Sequence, residues 1–383
     1  MHNSHGIAIC CTTQSLGGIE LNVLRLAAWM TARGHRCLLI ASEGSPLHKR
    51  AVDEGYPVLA LASHSRYNVL TEARQLARHL TEQKIGTLIL NVSRDLLLGV
   101  LTKRASKKAI ALVHTQHMQF GHAKKDPIHR WQYKQLDAWI SPLASLAEQT
   151  CRMTHVAKEK IHIIPFGIEL SPLLNAPQKA LAREALQLPA DVFIAGVVGR
   201  LDRGKGQEYL IRAAAHLRAD GKDIHLLIIG EETRGEEQGY ERRLHSLVKE
   251  LHMKDHVHFR GFIQDVRLAY AAMDVFTLTS LSETYGMVTI EAMAAGCPVI
   301  ATNSGGTPDL VGTSSFSGNG KGSTALLVAP ADTTALAEAL ERLMDDAAFA
   351  ALLGENGRAY ARRSFSHEAQ CATIEELIER IRR

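Results

Sequence analysis

Apolar and polar positions follow two different periods along the chain. Short, nearly continuous apolar runs recur at residues 6–12 (GIAICCT), 37–42 (CLLIAS), 86–91 (GTLILN), 109–114 (AIALVH) and 161–167 (IHIIPFG). Between them lie stretches with apolar residues three and four apart, such as 18–34 (GIELNVLRLAAWMTARG) and 68–83 (NVLTEARQLARHLTEQ). The first kind predicts strands covered on both faces, the second amphipathic helices. Residues 168–191 (IELSPLLNAPQKALAREALQLPAD) carry three prolines and interrupt the rhythm, which predicts a linker with a short helix after it. The alternation then restarts at 192–200 (VFIAGVVGR), 224–230 (IHLLIIG), 274–280 (DVFTLTS), 297–302 (CPVIAT) and 325–330 (ALLVAP), and three helical patterns close the chain. Such βα alternation predicts an α/β protein with two doubly wound, Rossmann-like domains facing a central cleft. The expected boundaries are 1–167 for an acceptor-side domain, 168–190 for the linker and 191–365 for a donor domain. A C-terminal helix at 366–383 is expected to pack back on the first domain.

Composition narrows the class. With 383 residues, 46% hydrophobic and 22% charged, the chain has material for two globular cores. No run approaches the roughly 18 apolar residues of a membrane span, and the first apolar run lacks the basic flank of an export signal. Six cysteines show no CxxC or Cys/His finger spacing, as expected of thiols in a reducing cytoplasm. The net charge of +4 conceals an asymmetry. Residues 1–165 hold 21 Lys and Arg against 11 Asp and Glu, a net of +10, and the remainder, 23 against 29, nets −6. The excess gathers in 102–108 (TKRASKK) and 123–130 (AKKDPIHR), read either as a solvated face or as attraction to an anionic membrane leaflet or polyanionic acceptor.

Three strand-to-helix junctions carry candidate chemistry. The stretch 280–306 (SLSETYGMVTIEAMAAGCPVIATNSGG) predicts a loop and then a helix from about Gly286. A helix start presents unpaired amides and a positive dipole, a phosphate site. Glu283 precedes that start and Glu291 follows within it. The helical part alone separates them by roughly 7–8 Å. A diphosphate at the helix start would leave one carboxylate for a ribose and one for a sugar. The same pair also reads as a solvated glutamate and one that complements the dipole. The second junction, 196–210 (GVVGRLDRGKGQEYL), brings Arg200 and Lys205 to a strand end. It is not a P-loop, since GxxxxGK[ST] is absent. The third, 12–20 (TTQSLGGIE), opens a helix with Gly17 and Gly18, either a tight turn or a place of close ligand approach. His114 ends the predicted fifth strand, with His117 close behind it. No Asp-x-Asp, HExxH or clustered His/Asp set occurs, so no metal site and no cofactor are expected.

Together these motifs resemble the retaining glycosyltransferases of family 4, which have the two-domain GT-B fold. The family's E-x7-E is Glu283–Glu291, followed by SGGTPDLV; the GRL…KG donor motif supplies Arg200 and Lys205; the early GG loop is Gly17-Gly18. The segments VHFRGFIQDV and IHIIPFGIE are also similar to family elements. The resemblance implies that Glu291 binds ribose and Glu283 the donor sugar. Arg200 and Lys205 would neutralise the leaving diphosphate, helped by the backbone around Tyr285, Gly286, Met287 and Val288. Gly18 would approach the diphosphate, His114 would lie beside donor sugar and acceptor, and Phe262 and Ile263 would flank the base. It implies a metal-independent hexosyltransferase that uses a UDP-sugar, with GDP-mannose second, and a glycan or lipid-linked acceptor of bacterial envelope polysaccharide or lipopolysaccharide synthesis. The enzyme is expected in the cytoplasm, peripheral on the inner membrane face, and without nucleic acid. The chain departs from the family where Phe166 replaces the usual Asn of IPNG, Glu169 the following Asp, and Thr284 a small residue, which bears on donor identity. An epimerase of the same architecture would need acid and base residues that the motifs do not supply, and a phosphorylase a longer chain. A non-catalytic binding protein would normally carry an export signal.

Overall fold

The computed structural model describes residues 4–62, 69–175, 177–232, 239–312 and 322–382. Two compact units emerge, residues 1–167 with 367–383, and residues 168–366. In the first, β1 (Gly6–Cys11), α1 (Gly18–Ala32), β2 (Arg36–Ser42), α2 (Pro46–Asp53), β3 (Val58–Leu61), α3 (Val69–Glu82), β4 (Thr87–Leu90), α4 (Leu96–Ala105), β5 (Ala111–Thr115), α5 (Pro127–Gln135), β6 (Ala138–Ser141), α6 (Ala144–Met153) and β7 (Ile161–Ile163) alternate. The seven strands form one parallel sheet in the order β3-β2-β1-β4-β5-β6-β7. Successive residues of β1 serve opposite faces: Ile7, Ile9 and Cys11 enter one core, Ala8 and Cys10 the other. Both faces being covered, the strand reads as an unbroken apolar run.

The second unit opens with α7 (Leu170–Leu174) and α8 (Lys179–Ala185), so the stretch expected as a linker is largely helical and attached. Arg183 of α8 is buried, donating to Ala272 O (3.0 Å) and pairing with Asp274 (2.7 Å). Then follow β8 (Phe193–Val198), α9 (Gln207–Ala219), β9 (Ile224–Ile229), α10 (Tyr240–Glu250), β10 (Val257–Arg260), α11 (Val266–Ala272), β11 (Val275–Leu278), α12 (Met287–Ala295), β12 (Val299–Thr302), α13 (Thr307–Val311), β13 (Leu326–Val328), α14 (Thr333–Asp345) and α15 (Ala347–Ser364). The sheet is parallel, ordered β10-β9-β8-β11-β12-β13. The last helix, α16 (His367–Arg382), belongs to the first unit, where Cys371, Ile374, Leu377 and Ile378 share a core with Ile7, Ile9 and Val23.

Besides α7 inside the expected linker, two helices escape the periodic reading. Helix α6 buries Leu146, Ala147 and also Thr150, whose hydroxyl reaches Gln116 Oε1 at 2.9 Å. A polar residue on the inner face breaks the apolar repeat. Helix α13 is only five residues long. Among the described residues no helix is long and apolar enough to cross a membrane.

Candidate active site

In an open parallel sheet, ligands bind beyond the carboxyl ends of the strands where the winding reverses. In the second unit the chain runs outward from β8 through β9 to β10, then returns to start β11 on the other side of β8. The reversal lies between β8 and β11, and the loops leaving those two strands contain Arg200, Lys205 and Glu283.

The two loops are joined along their length. Leu281 N donates to Gly204 O (2.8 Å), Thr279 Oγ1 to Lys205 O (2.8 Å), and Lys205 Nζ to Glu283 Oε2 (2.6 Å). Ser280 Oγ donates to the same carboxylate oxygen at 3.2 Å. Gly206, at φ +66°, makes the approach possible, since a Cβ there would meet Thr279 O at 2.3 Å. Glu283 is held from the far side as well. Its carbonyl accepts from Gly306 N (2.8 Å), and Gly305, at φ +59°, lies so close that a Cβ would come within 2.0 Å of that oxygen. The glycines of the SGG segment therefore let the loop after β12 cradle the glutamate, a role the sequence pattern does not announce. Arg200 is half exposed, with a guanidinium nitrogen 3.6 Å from Asp202 Oδ2; Asp202 in turn accepts from Lys205 N (3.1 Å).

Helix α12 starts at Met287 with Gly286 as its N-cap. Its first amides, at Met287 and Val288, have no carbonyl of the helix to receive them. Glu291 lies just over one turn along, half-buried, and the Tyr270 hydroxyl is 3.1 Å from both its Oε2 and Val288 O. Burial, and then the Glu291 charge, push Tyr270 well above the ordinary phenol range, so the hydroxyl stays a donor. Tyr270 is a site residue the sequence reasoning missed. The Tyr285 ring is buried, which leaves its backbone as the part a ligand could meet. Phe262 is 80% exposed on the loop after β10, its amide fixed by Glu231 Oε1 (3.0 Å), with Ile263 half-buried beside it. β10 is two strands from β8, about 9–10 Å away.

The first unit has its own reversal, between β1 and β4. The loop after β1 is anchored by buried Asp95, which accepts from Thr12 N (3.3 Å) and the Thr12 hydroxyl (2.5 Å), while Arg94 Nε donates to Thr12 Oγ1 (3.1 Å). Glu20 closes the start of α1 by accepting from Gly17 N at 2.7 Å. At Gly18 an added Cβ would meet nothing within 4 Å. Nothing within the unit itself calls for glycine there.

His114 departs from the expectation of an open strand end. It is 2% exposed inside β5, its ring 4.3 Å from Trp139, and burial pushes its pKa down to about 3. His117, two residues beyond β5, takes the strand-end position. Its Nε2 is 2.9 Å from Asn91 Oδ1, its ring stacks on Phe166 at 4.8 Å, and it lines a recess with Asn22, Thr115 and Gly167. The physical reason is register: β5 ends at Thr115, so His114 pairs within the sheet, beside Leu90 and Trp139.

Two parallel-sheet Rossmann-like units, each with its chemistry-bearing loops at a winding reversal, define a protein of the GT-B class. Residues 16–172 match the model of Glycosyltransferase Family 4 and residues 178–360 that of Glycosyl transferases group 1. The chain belongs to this family of glycosyltransferases. It is 32% identical over 241 residues to a D-inositol 3-phosphate glycosyltransferase of Stackebrandtia nassauensis, an alignment covering 61% of this chain and 52% of that one. The chain spans about half the length of the curated relatives it matches. The fold is shared with a glycosyltransferase of Rickettsia africae (TM-score 0.85, 20% identity, 99% of each chain). It is also shared with Anabaena Alr3699/HepE, solved in complex with UDP (TM-score 0.83, 21% identity, 98% of this chain and all of that one).

Proposed function

We propose that this chain transfers a hexose-type sugar from a nucleoside diphosphate donor to a glycan or lipid-linked acceptor, with retention of anomeric configuration. The observation that carries the reading is the Lys205–Glu283 pair, fixed between two loops at the winding reversal beside the start of α12. Transfer builds negative charge on the departing diphosphate, and groups already aimed at that charge lower the barrier without reorganising. Lys205, Arg200 and the first amides of α12 supply those charges and dipoles. The chain has no Asp-x-Asp to bring a metal to the diphosphate, and the reading is of metal-independent transfer.

Glu283 binds sugar hydroxyls, and Glu291, oriented by Tyr270, binds ribose hydroxyls, carboxylates being acceptors only. Phe262, exposed at the same sheet end, stacks on the base. In the first unit Gly18 leaves room for the diphosphate. In the first unit His117, at the end of β5, rather than His114 within the strand, is the histidine read as serving the acceptor. A UDP-sugar is the favoured donor, as the UDP complex of the Anabaena relative suggests, with GDP-mannose second. The acceptor reading, a lipid-linked or envelope glycan, draws on the basic character of residues 1–165.

Lys205→Ala should lower kcat/KM by about 2–4 kcal/mol in transition-state terms, roughly 30- to 1,000-fold, while leaving the fold intact. Single-turnover transfer from radiolabelled donor sugars checks this. Full activity of Lys205→Ala with Arg200→Ala, or loss of wild-type activity to EDTA, would exclude the assignment.

A further inference from the structure

The opposite, amino-terminal edge of the second sheet holds a cluster that the donor site does not use. His225 lies near the start of β9, Asp223 just before that strand, and His256 just before the neighbouring β10. One ligand atom from each of these three residues lies within 4.8 Å of the other two. The sequence predicts no clustered His/Asp set, because His256 lies 31 residues after His225 and meets the Asp223/His225 pair only through the pairing of β9 with β10.

We propose that Asp223, His225 and His256 form a binding site for a divalent ion of the Zn2+ type, tying together the starts of β9 and β10. His256 Nδ1 and His225 Nε2 are 3.2 Å apart. Two nitrogens bound to one zinc at 2.0–2.1 Å with a tetrahedral angle stand about 3.3–3.4 Å apart, so the ion enters with hardly any movement of either ring. Asp223 Oδ1 is 3.8 Å from His225 Nε2 and supplies the third ligand; water completes the set.

The outer shell has the form that metal sites use. The other nitrogen of His225, Nδ1, is 3.1 Å from His258 Nε2. With His258 accepting there, the His225 proton is held on Nδ1 and the Nε2 lone pair is directed at the ion. Before metal enters, His256 Nδ1 donates to His225 Nε2; an entering ion displaces that proton, His256 carries its proton on Nε2 instead, and Nδ1 becomes the ligand. The site is open to solvent on one side, since Asp223 is exposed and His256 half-buried while His225 is buried. Two imidazoles and a carboxylate suit zinc over calcium or magnesium, which take oxygen ligands. Arg218 and Arg183 both bring positive charge toward His225 and oppose the ion, and Arg218 Nη1 is 2.8 Å from Asp223 Oδ1. That contact makes a second, opposite-signed test available.

The experiment uses the full chain free of any polyhistidine tag, freed of metal by dialysis and titrated with Zn2+ against a chromophoric chelator. Thermal unfolding with and without equimolar Zn2+ is followed in parallel. Wild type is expected to bind one ion and to unfold at a higher temperature with it, and equimolar Ca2+ or Mg2+ to give no shift. His256→Ala and Asp223→Ala, both away from the buried core, should abolish the Zn2+-dependent shift. His258→Ala should weaken binding about tenfold, as loss of an outer-shell partner does. Arg218→Gln should tighten binding by removing the competing cation. Absence of one-to-one binding in wild type, or the same affinity in His256→Ala and Asp223→Ala, would overturn the proposal. Because every readout is binding or unfolding, the result is independent of whether sugar transfer is observed.

Discussion

Glu283 and Glu291 differ in what already holds them. One oxygen of Glu283 is shared by a lysine ammonium and the Ser280 hydroxyl, whereas Glu291 is met by the hydroxyl of Tyr270. A carboxylate coupled to Lys205, the lysine proposed to meet the leaving diphosphate, should matter most when charge moves, and one held by a buried phenol should matter for ground-state binding. Glu291→Ala is therefore expected to lose affinity for bare UDP by about tenfold or more, the value of a hydrogen bond to a charged group. Glu283→Ala should mainly lower turnover. Tyr270→Phe, which leaves the Glu291 carboxylate but removes its anchor, should fall between wild type and Glu291→Ala. Calorimetry with UDP checks the affinities, and equal losses for both glutamates would refute the ribose and sugar assignments. The two glutamates, Arg200 and Lys205 were legible as candidates because each lies within a few residues of a strand-to-helix junction. Tyr270, Gly305 and Asn91 were not, since they reach the site residues from other segments of chain. The choice between His114 and His117 needed the end of β5 to be known within one or two residues, which periodicity does not resolve.

At the scale of elements, α16 is the part of the first unit most distant in sequence. Its apolar face enters the core beside β1 and α1, and its polar anchor is Glu375, which is buried. Arg33 grips that carboxylate through Nε (2.7 Å) and Nη2 (2.6 Å), and His35 Nε2 is 2.7 Å from the same group. The Arg33 hydrogen bonds, followed by the one from His35, hold its pKa down to about 2 against an ordinary 4.5. A depressed carboxyl contributes stability above pH 4.5 and loses it as pH falls toward 2. The shift corresponds to about 3 kcal/mol at neutral pH. Glu375→Gln should thus unfold at a lower temperature than wild type at pH 7, and the gap should narrow between pH 5 and 2; a constant gap across that range would deny the ion pair its role. The strands were readable because burial on both faces leaves uninterrupted apolar runs, and α1, α3 and α14 because their inner faces are apolar at helical spacing. Helix α6, with Thr150 turned inward, and the short α13 gave no such repeat.

For the molecule as a whole, the uneven charge of the chain bears on where the acceptor is met. The basic cluster is smaller than its sequence suggests. Lys103 is buried, its Nζ 2.6 Å from Asp137, whose carboxylate also accepts from Leu112 N at 2.7 Å. That lysine is part of the fold. Arg104, Lys107 and Lys108 are exposed, and Arg104 lies over the Trp131 ring of α5, 5.9 Å from its centroid. Ile128, three residues earlier on the same helix and 65% exposed, adds an apolar side chain next to these charges. Basic groups beside an exposed isoleucine and a tryptophan suit a membrane–water boundary. Each basic residue near an anionic leaflet contributes about 1 kcal/mol, so three of them with Lys125 would suffice for reversible attachment. The attraction should fade beyond a Debye length of about 8 Å at physiological salt. Sedimentation with vesicles containing anionic lipid is expected to carry the protein down, with neutral vesicles leaving it in solution and added salt releasing it. The triple change Arg104→Ser, Lys107→Ser and Lys108→Ser should abolish binding without lowering thermal stability. Lys103→Ser should instead destabilise the fold, because Asp137 would be left without its buried partner. Binding that persists in the triple variant, or that does not distinguish anionic from neutral vesicles, would reduce the positive charge of the first unit to a solvated surface.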